Sequence, residues 1–149
     1  MIVSRHHLAV FYAVVGVVAL VLTWSQILGY LDQSFLAANA AFWGDALGGG
    51  NGAQNFLVID LLFLALVASV WMVFEARRMS IPFVWAYVVG GLLVAISLTF
   101  PLFLAVRERR LAADGAPRAG WTRFDAAGLG LMVLGNVGAV ALAMGWSAA

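Results

Sequence analysis

Residues 55–78 read NFLVIDLLFLALVASVWMVFEARR, and between Phe56 and Phe74 the one charged side chain is Asp60. About 20 mostly apolar residues are what an α-helix needs to cross roughly 30 Å of hydrocarbon. Lipid offers no partner to backbone N–H and C=O groups, so such a stretch must be a helix or a strand of a closed barrel. Barrel strands are shorter and alternate apolar with polar residues, and no alternation is present here. The stretch therefore predicts a membrane helix from about Asn55 to Phe74, with Glu75, Arg77 and Arg78 at headgroup level.

Three more segments have the same character. They run from about Leu8 to Leu28, from about Phe83 to Val106 and from about Ala126 to Trp146. Composition agrees: of 149 residues 64% are hydrophobic and 10% charged, against about 25% charged in a soluble domain. The expectation is one all-α integral membrane domain, residues 1–149, with four transmembrane helices. A net charge of +1 argues against nucleic-acid binding, which uses a basic face. With no Cys, disulfides, thiol catalysis and thiolate metal sites are excluded. All eight basic side chains are Arg.

The first segment follows Arg5, His6 and His7. Its apolar run exceeds the 7–15 residues of a signal core, and Ala38-Asn39-Ala40 lies well past it, so it reads as an uncleaved anchor. The connection at 29–54 contains GDALGGGNGAQN. It lacks the Lys-Ser/Thr of a phosphate loop and reads as flexible, with Leu31–Trp43 apolar enough to lie at the interface. ARRMSIP is a turn in which Pro82 opens the third helix. RERRLAADGAPRAGWTRFD is a basic connection whose Asp125 suits an N-cap.

Four straight spans place Arg5, Arg77 and Arg78 on one side and Arg107, Arg109, Arg110, Arg118 and Arg123 on the other. An arginine count then puts the termini outside, whereas the flanks of the first helix, Arg5 before and Asp32 and Asp45 after, put them inside. The first helix usually dominates, so the expectation is termini inside, with the arginine-rich third connection facing outward.

A charge near the bilayer centre costs about 2.5–3.5 kcal/mol on insertion scales, so Asp60 needs compensation. In a hairpin folded at residues 79–81, position 60 falls opposite residues 100–102, within reach of Arg107. A structural Asp60–Arg107 pair is the expectation, with Arg109 or Arg110 in reserve. A titrating site and a contact to a partner protein are the alternatives. Glu75 and Arg78 have the i,i+3 spacing of a surface pair. Pro101 removes the bond to the Ser97 carbonyl and predicts a kink there. In the fourth helix Gly135, Ala139 and Ala143 form a small-residue stripe. Gly128 extends it and Asn136 adds a polar group, a pattern that favours close helix association. It suits packing within the chain or docking on a partner. His6 and His7 are adjacent and diverge on a helix, and no third ligand accompanies them, so no metal or cofactor is expected.

Residues 55–111 combine an Asp inside the second span, an E-x-R-R end, an S-x-x-x-P-L-F-L stretch and an R-E-R-R close. These fall on Asp60, Glu75, Arg77, Arg78, Ser97, Pro101, Leu102, Phe103, Leu104, Arg107, Glu108, Arg109 and Arg110. The combination resembles a family of small bacterial membrane proteins catalogued only as a domain of unknown function. The first helix fits it more loosely, and the fourth looks like an extension. The resemblance supplies no catalytic site. An arginine-rich, lysine-free chain of this size is also similar to actinobacterial accessory subunits of the LucB type, which serve Mce lipid-import machinery. That likeness implies a role beside an ABC-type permease.

Three functions fit these features to different degrees. The first is a non-enzymatic accessory subunit of a larger membrane complex in the bacterial inner membrane, in contact with membrane lipids. The second is a small homo-oligomeric proton-coupled transporter that uses Asp60. The third, a lipid-modifying enzyme, lacks a nucleophile–base pair. Asp60 and Glu75 are about 22 Å apart along a helix, too far to share a reaction centre.

Overall fold

The computed structural model describes residues 2–48, 50–116, 119–120 and 122–145. Arg118 of the third connection and Trp146 at the end of the fourth apolar stretch lie outside these residues. The chain is all-α, with one very short strand pair among the described residues. Among these residues four helical stretches are long and apolar enough to cross a membrane: Arg5–Trp24, Gly52–Arg78, Val84–Ala113 and Arg123–Ala141. That character makes this a membrane protein. The residues group into two compact units, Arg5–Ala116, and Met1–Ser4 with Pro117–Ala149.

The first unit comprises α1 (Arg5–Trp24), a 3-10 turn (Leu28–Tyr30), α2 (Phe35–Leu47), α3 (Gly52–Arg78), α4 (Val84–Gly90), a π turn (Gly91–Ala95) and α5 (Ile96–Ala113). The first connection is largely helical rather than a flexible loop. Ser34 accepts from the Ala37 N–H as N-cap of α2, and Asn51 does the same for α3 through the Gln54 N–H at 3.0 Å. With an alanine-rich segment between two good caps, helix wins over the glycines that follow.

The C-terminus of α3 is a stop signal without glycine. The Ile81 N–H donates to the Ala76 carbonyl at 2.9 Å, with Ser80 in the left-handed region at φ 51°. This is a Schellman closure, and Ile81, at 6% exposure, anchors it in the core. Pro82 does not open α4. Phe83, also left-handed at φ 57°, lies between them, and the helix begins at Val84.

The third apolar stretch is folded back on itself. The rings of Tyr87 and Phe103 are 5.6 Å apart, although 16 residues of straight α-helix would separate them by about 24 Å. A Cβ on Gly91 would lie 2.9 Å from the Thr99 hydroxyl, and one on Gly90 3.3 Å from its methyl. The reversal is made by the π turn and by Ala95, whose backbone is extended (φ −173°, ψ 127°) between helical neighbours. Glycines at 90 and 91 let the two arms approach this closely. The expected kink at Ser97 and Pro101 is therefore displaced. Pro101 lies inside α5, where it deletes one hydrogen bond, while the large change of direction comes before Ile96.

Because of this reversal α5 runs antiparallel to α4 and parallel to α3. Trp71 of α3 meets Phe100 and Phe103 edge-on, each at 5.8 Å. Phe103 is fully buried among Met72, Ala76, Ile81 and Val84. In lipid, where no hydrophobic drive brings helices together, close van der Waals packing of such a side chain is what joins the three helices. Helix α1 lies antiparallel along α5. Gly16 is buried there, with its Cβ position 3.1 Å from the Leu98 carbonyl oxygen and 3.3 Å from Pro101 Cβ. Ala9, seven residues earlier on the same face, is 1% exposed.

The second unit contains β1 (Ile2–Val3) paired antiparallel with β2 (Ala119–Gly120), and α6 (Arg123–Ala143). Asp125 is not the N-cap of α6. The Asp125 N–H donates to Thr122 Oγ1 at 3.1 Å, and the Thr122 N–H donates to Asp125 Oδ2 at 2.8 Å. Thr122 is the cap and Asp125 the reciprocal partner three residues on, a capping box.

Candidate functional site

The arginines and glutamates of the first unit gather at one end, away from Asp32, Asp45 and Asp60. Glu75 closes α3, Glu108 and Arg107 close α5, and Arg5 opens α1, so the antiparallel α1 and the parallel α3 deliver all four to one layer. Arg107 Nε donates to Glu75 Oε1 at 2.6 Å and its Nη1 to Glu108 Oε1 at 2.7 Å. Arg5 Nη1 donates to Glu108 Oε2 at 2.7 Å, and Arg78 Nη2 to Glu75 Oε1 at 2.8 Å. The Arg107 guanidinium also sits 5.7 Å from the centre of the Trp71 ring, within cation–π range. The result is a chain, Arg5–Glu108–Arg107–Glu75–Arg78, that laces α1, α3 and α5. Both carboxylates are buried, with side chains 6% (Glu75) and 4% (Glu108) exposed, and each is held by two guanidinia. A carboxylate so engaged is a structural acceptor, not a free base.

Arg107 is therefore committed to Glu75 and Glu108, and the expected Asp60–Arg107 pair does not form. The cause is the reversal at Ala95. A straight third helix would set residue 60 against residues 100–102. The folded one sets Phe100 against Trp71 and Arg107 against Glu75, about 22 Å along α3 from Asp60. Asp60 is exposed, about 12 Å from the start of α3, and no cation faces it among the described residues. Arg109 and Arg110, the reserves, are exposed at the opposite end.

Ser97 makes no side-chain hydrogen bond among the described residues. The hydroxyl of Thr99 is buried without a partner, so neither replaces the bond lost at Pro101. A donor does arrive where the reversal frees a carbonyl: Trp24 Nε1 donates to the Val94 carbonyl at 3.2 Å. At the same level α2, α3 and the π turn enclose an open apolar depression of about 390 Å³, lined by Asn39, Trp43, Leu62, Leu92 and Leu93 among others.

Within the second unit the small-residue stripe is open. A Cβ at Gly128 or Gly135 would meet nothing within 4 Å, and Asn136, Ala139 and Ala143 are exposed. The glycines that do mediate close packing include Gly90 and Gly91 at the reversal and Gly16 between α1 and α5, the last signalled only by its seven-residue spacing from Ala9. His6 and His7 are exposed with ring centres 6.4 Å apart, and no group of three metal-ligating side chains occurs among the described residues. Arg5 and Glu108 also escaped the sequence reading: 103 positions separate them, and the i,i+3 rule sees only local pairs.

No curated protein and no solved structure matches the chain. A family model does match residues 11–109, a stretch that takes in most of α1, all of α3 and α4, and α5 as far as Arg109. Glu75, Arg107 and Glu108 lie within it, and α6 lies beyond it. The chain belongs to the family described as protein of unknown function DUF2834.

Proposed function

We propose that the chain is a non-enzymatic accessory subunit that docks on a larger complex of the bacterial inner membrane and aids its assembly or stability. The observation that carries this reading is Asp60. It is a carboxylate well inside a membrane-length helix, exposed on the first unit and without a counter-charge among the described residues. An unpaired charge at membrane depth is costly, and a cationic or hydrogen-bonding side chain on a partner helix offsets that cost. The open small-residue stripe of α6 suits the same role, since Gly and Ala let helix backbones come close. The carboxylates of the ion-pair layer are occupied by guanidinia, so they offer no acid–base pair. An ABC-type permease, in particular a Mce-type lipid importer, is the complex suggested by the likeness to LucB-type subunits.

Asp60 also supports a second reading, a small homo-oligomeric transporter in which it carries the proton. Native pull-down from membranes with mass spectrometry separates the two when the wild type is compared with Asp60→Asn. A large partner at fixed stoichiometry, shed by Asp60→Asn while the variant remains folded, is the expected result. A homo-oligomer alone, unaffected by the substitution, would refute docking and leave transport as the role to assay.

A further inference from the structure

We propose that residues 84–113 do not cross the membrane but enter and leave it on one face, and that this face is cytoplasmic. Three sets of contacts define the levels. Along α1 and α5, Arg5 meets Glu108, Gly16 meets Leu98 and Pro101, and Trp24 meets Val94. Along α3 and α5, Trp71 meets Phe100 and Phe103, and Glu75 meets Arg107. Along α4 and α5, Tyr87 meets Phe103, and Gly91 meets Thr99. The start of α1, the end of α3 and the end of α5 therefore share one level. The π turn sits at the other end of this hairpin, beside α2 and Leu62.

Two helices of this unit, α1 and α3, run the full distance, and the α4–α5 hairpin returns to its own side. Non-helical backbone at membrane depth survives where protein covers it and supplies hydrogen bonds. Here Trp24 donates to the Val94 carbonyl and α2 lies beside the turn.

The consequence is a charge asymmetry that straight spans conceal. Every arginine of residues 5–116, namely Arg5, Arg77, Arg78, Arg107, Arg109 and Arg110, falls at one end. The far connection, residues 25–51, has Asp32 and Asp45 and no basic residue. Basic residues flanking spans are retained in the cytoplasm. The conflict between the arginine count and the first-helix flanks disappears, because both now point the same way. The exposed guanidinia of Arg77, Arg78, Arg109 and Arg110 then meet the anionic phosphates of the inner leaflet.

The chain contains no Cys, so single cysteines can be placed without altering a background. Ser80→Cys, Ala113→Cys and Gln33→Cys are all at exposed positions. Each is expressed as the full chain in a bacterial inner membrane and treated with a membrane-impermeant maleimide, in right-side-out and in inside-out vesicles. Ser80→Cys and Ala113→Cys should label in inside-out vesicles, and Gln33→Cys in right-side-out ones. Labelling of Ser80→Cys and Ala113→Cys from opposite faces would show that the segment crosses and would overturn the proposal. Labelling of both only in right-side-out vesicles would overturn the cytoplasmic assignment. Asp114→Cys, exposed one residue further on, repeats the decisive measurement if Ala113→Cys accumulates poorly.

Discussion

Arg107→Met is the sharpest probe of the ion-pair layer. Methionine keeps much of the length and apolar bulk but removes the guanidinium that bridges Glu75 and Glu108. Removing one partner of a buried pair costs about 3–5 kcal/mol, because the other charge stays buried and unpaired. Two carboxylates are affected here, yet each retains a second guanidinium: Arg78, 68% exposed, on Glu75, and Arg5, 16% exposed, on Glu108. That places the loss near the lower bound, about 3 kcal/mol, with roughly 0.5–1 kcal/mol more from the cation–π contact to Trp71. At about 1.4 kcal/mol per tenfold, the unfolding constant rises by more than two decades. The assay is reversible unfolding in mixed micelles, followed by tryptophan fluorescence, with Trp71 at the edge of the site. The companion variant adds Glu75→Gln and Glu108→Gln. If the cost of Arg107→Met is chiefly uncompensated buried charge, the triple variant recovers more than half of it. A single variant within about 0.5 kcal/mol of wild type, the range of ordinary surface substitutions, would refute the reasoning. So would a triple variant no more stable than the single one.

Two further expectations use simpler substitutions. Gly16→Leu should cost about 1–3 kcal/mol, as overpacking does, since a Cβ already lies 3.1 Å from the Leu98 carbonyl oxygen. Gly135→Leu, whose Cβ meets nothing within the second unit, should stay within about 0.5 kcal/mol, and equal losses in the same unfolding titration would contradict the close approach at Gly16. On the far connection Tyr30 donates to Asp45 Oδ2 at 2.6 Å, and that hydrogen bond raises the phenol above its usual 10.0. Because the neutral form is favoured, the bond persists at lower pH and is lost as pH rises through the raised value. Asp45→Asn should bring the phenolate absorbance change, assigned by difference against Tyr30→Phe, back down.

How far the molecule is legible in its sequence follows from which interactions are local. Apolar runs of membrane length, such as the one around Asp60, suffice for an all-α membrane protein, since solvent alone dictates helix there. The i,i+3 spacing of Glu75 and Arg78 is likewise written along one chain segment, whereas in the T-R-F-D run at residues 122–125 the sequence marks a helix start but points to Asp125 as the cap in place of Thr122. What needed tertiary structure was the direction of the chain. Pro101 is a conspicuous breaker in an apolar run, yet the reversal sits at residues 90–95. There two glycines and one extended alanine carry little signal, and the turn is supported by Trp24 from a helix some 70 positions away. That reversal decides which charges meet. It takes Arg107 away from Asp60, joins it to Glu75 and Glu108, and leaves Asp60 without a cation among the described residues. A pattern of residues encodes the solvent each segment prefers, because burial is a property of the segment itself. Which segments lie level with one another depends on packing between distant helices, and only the folded chain contains it.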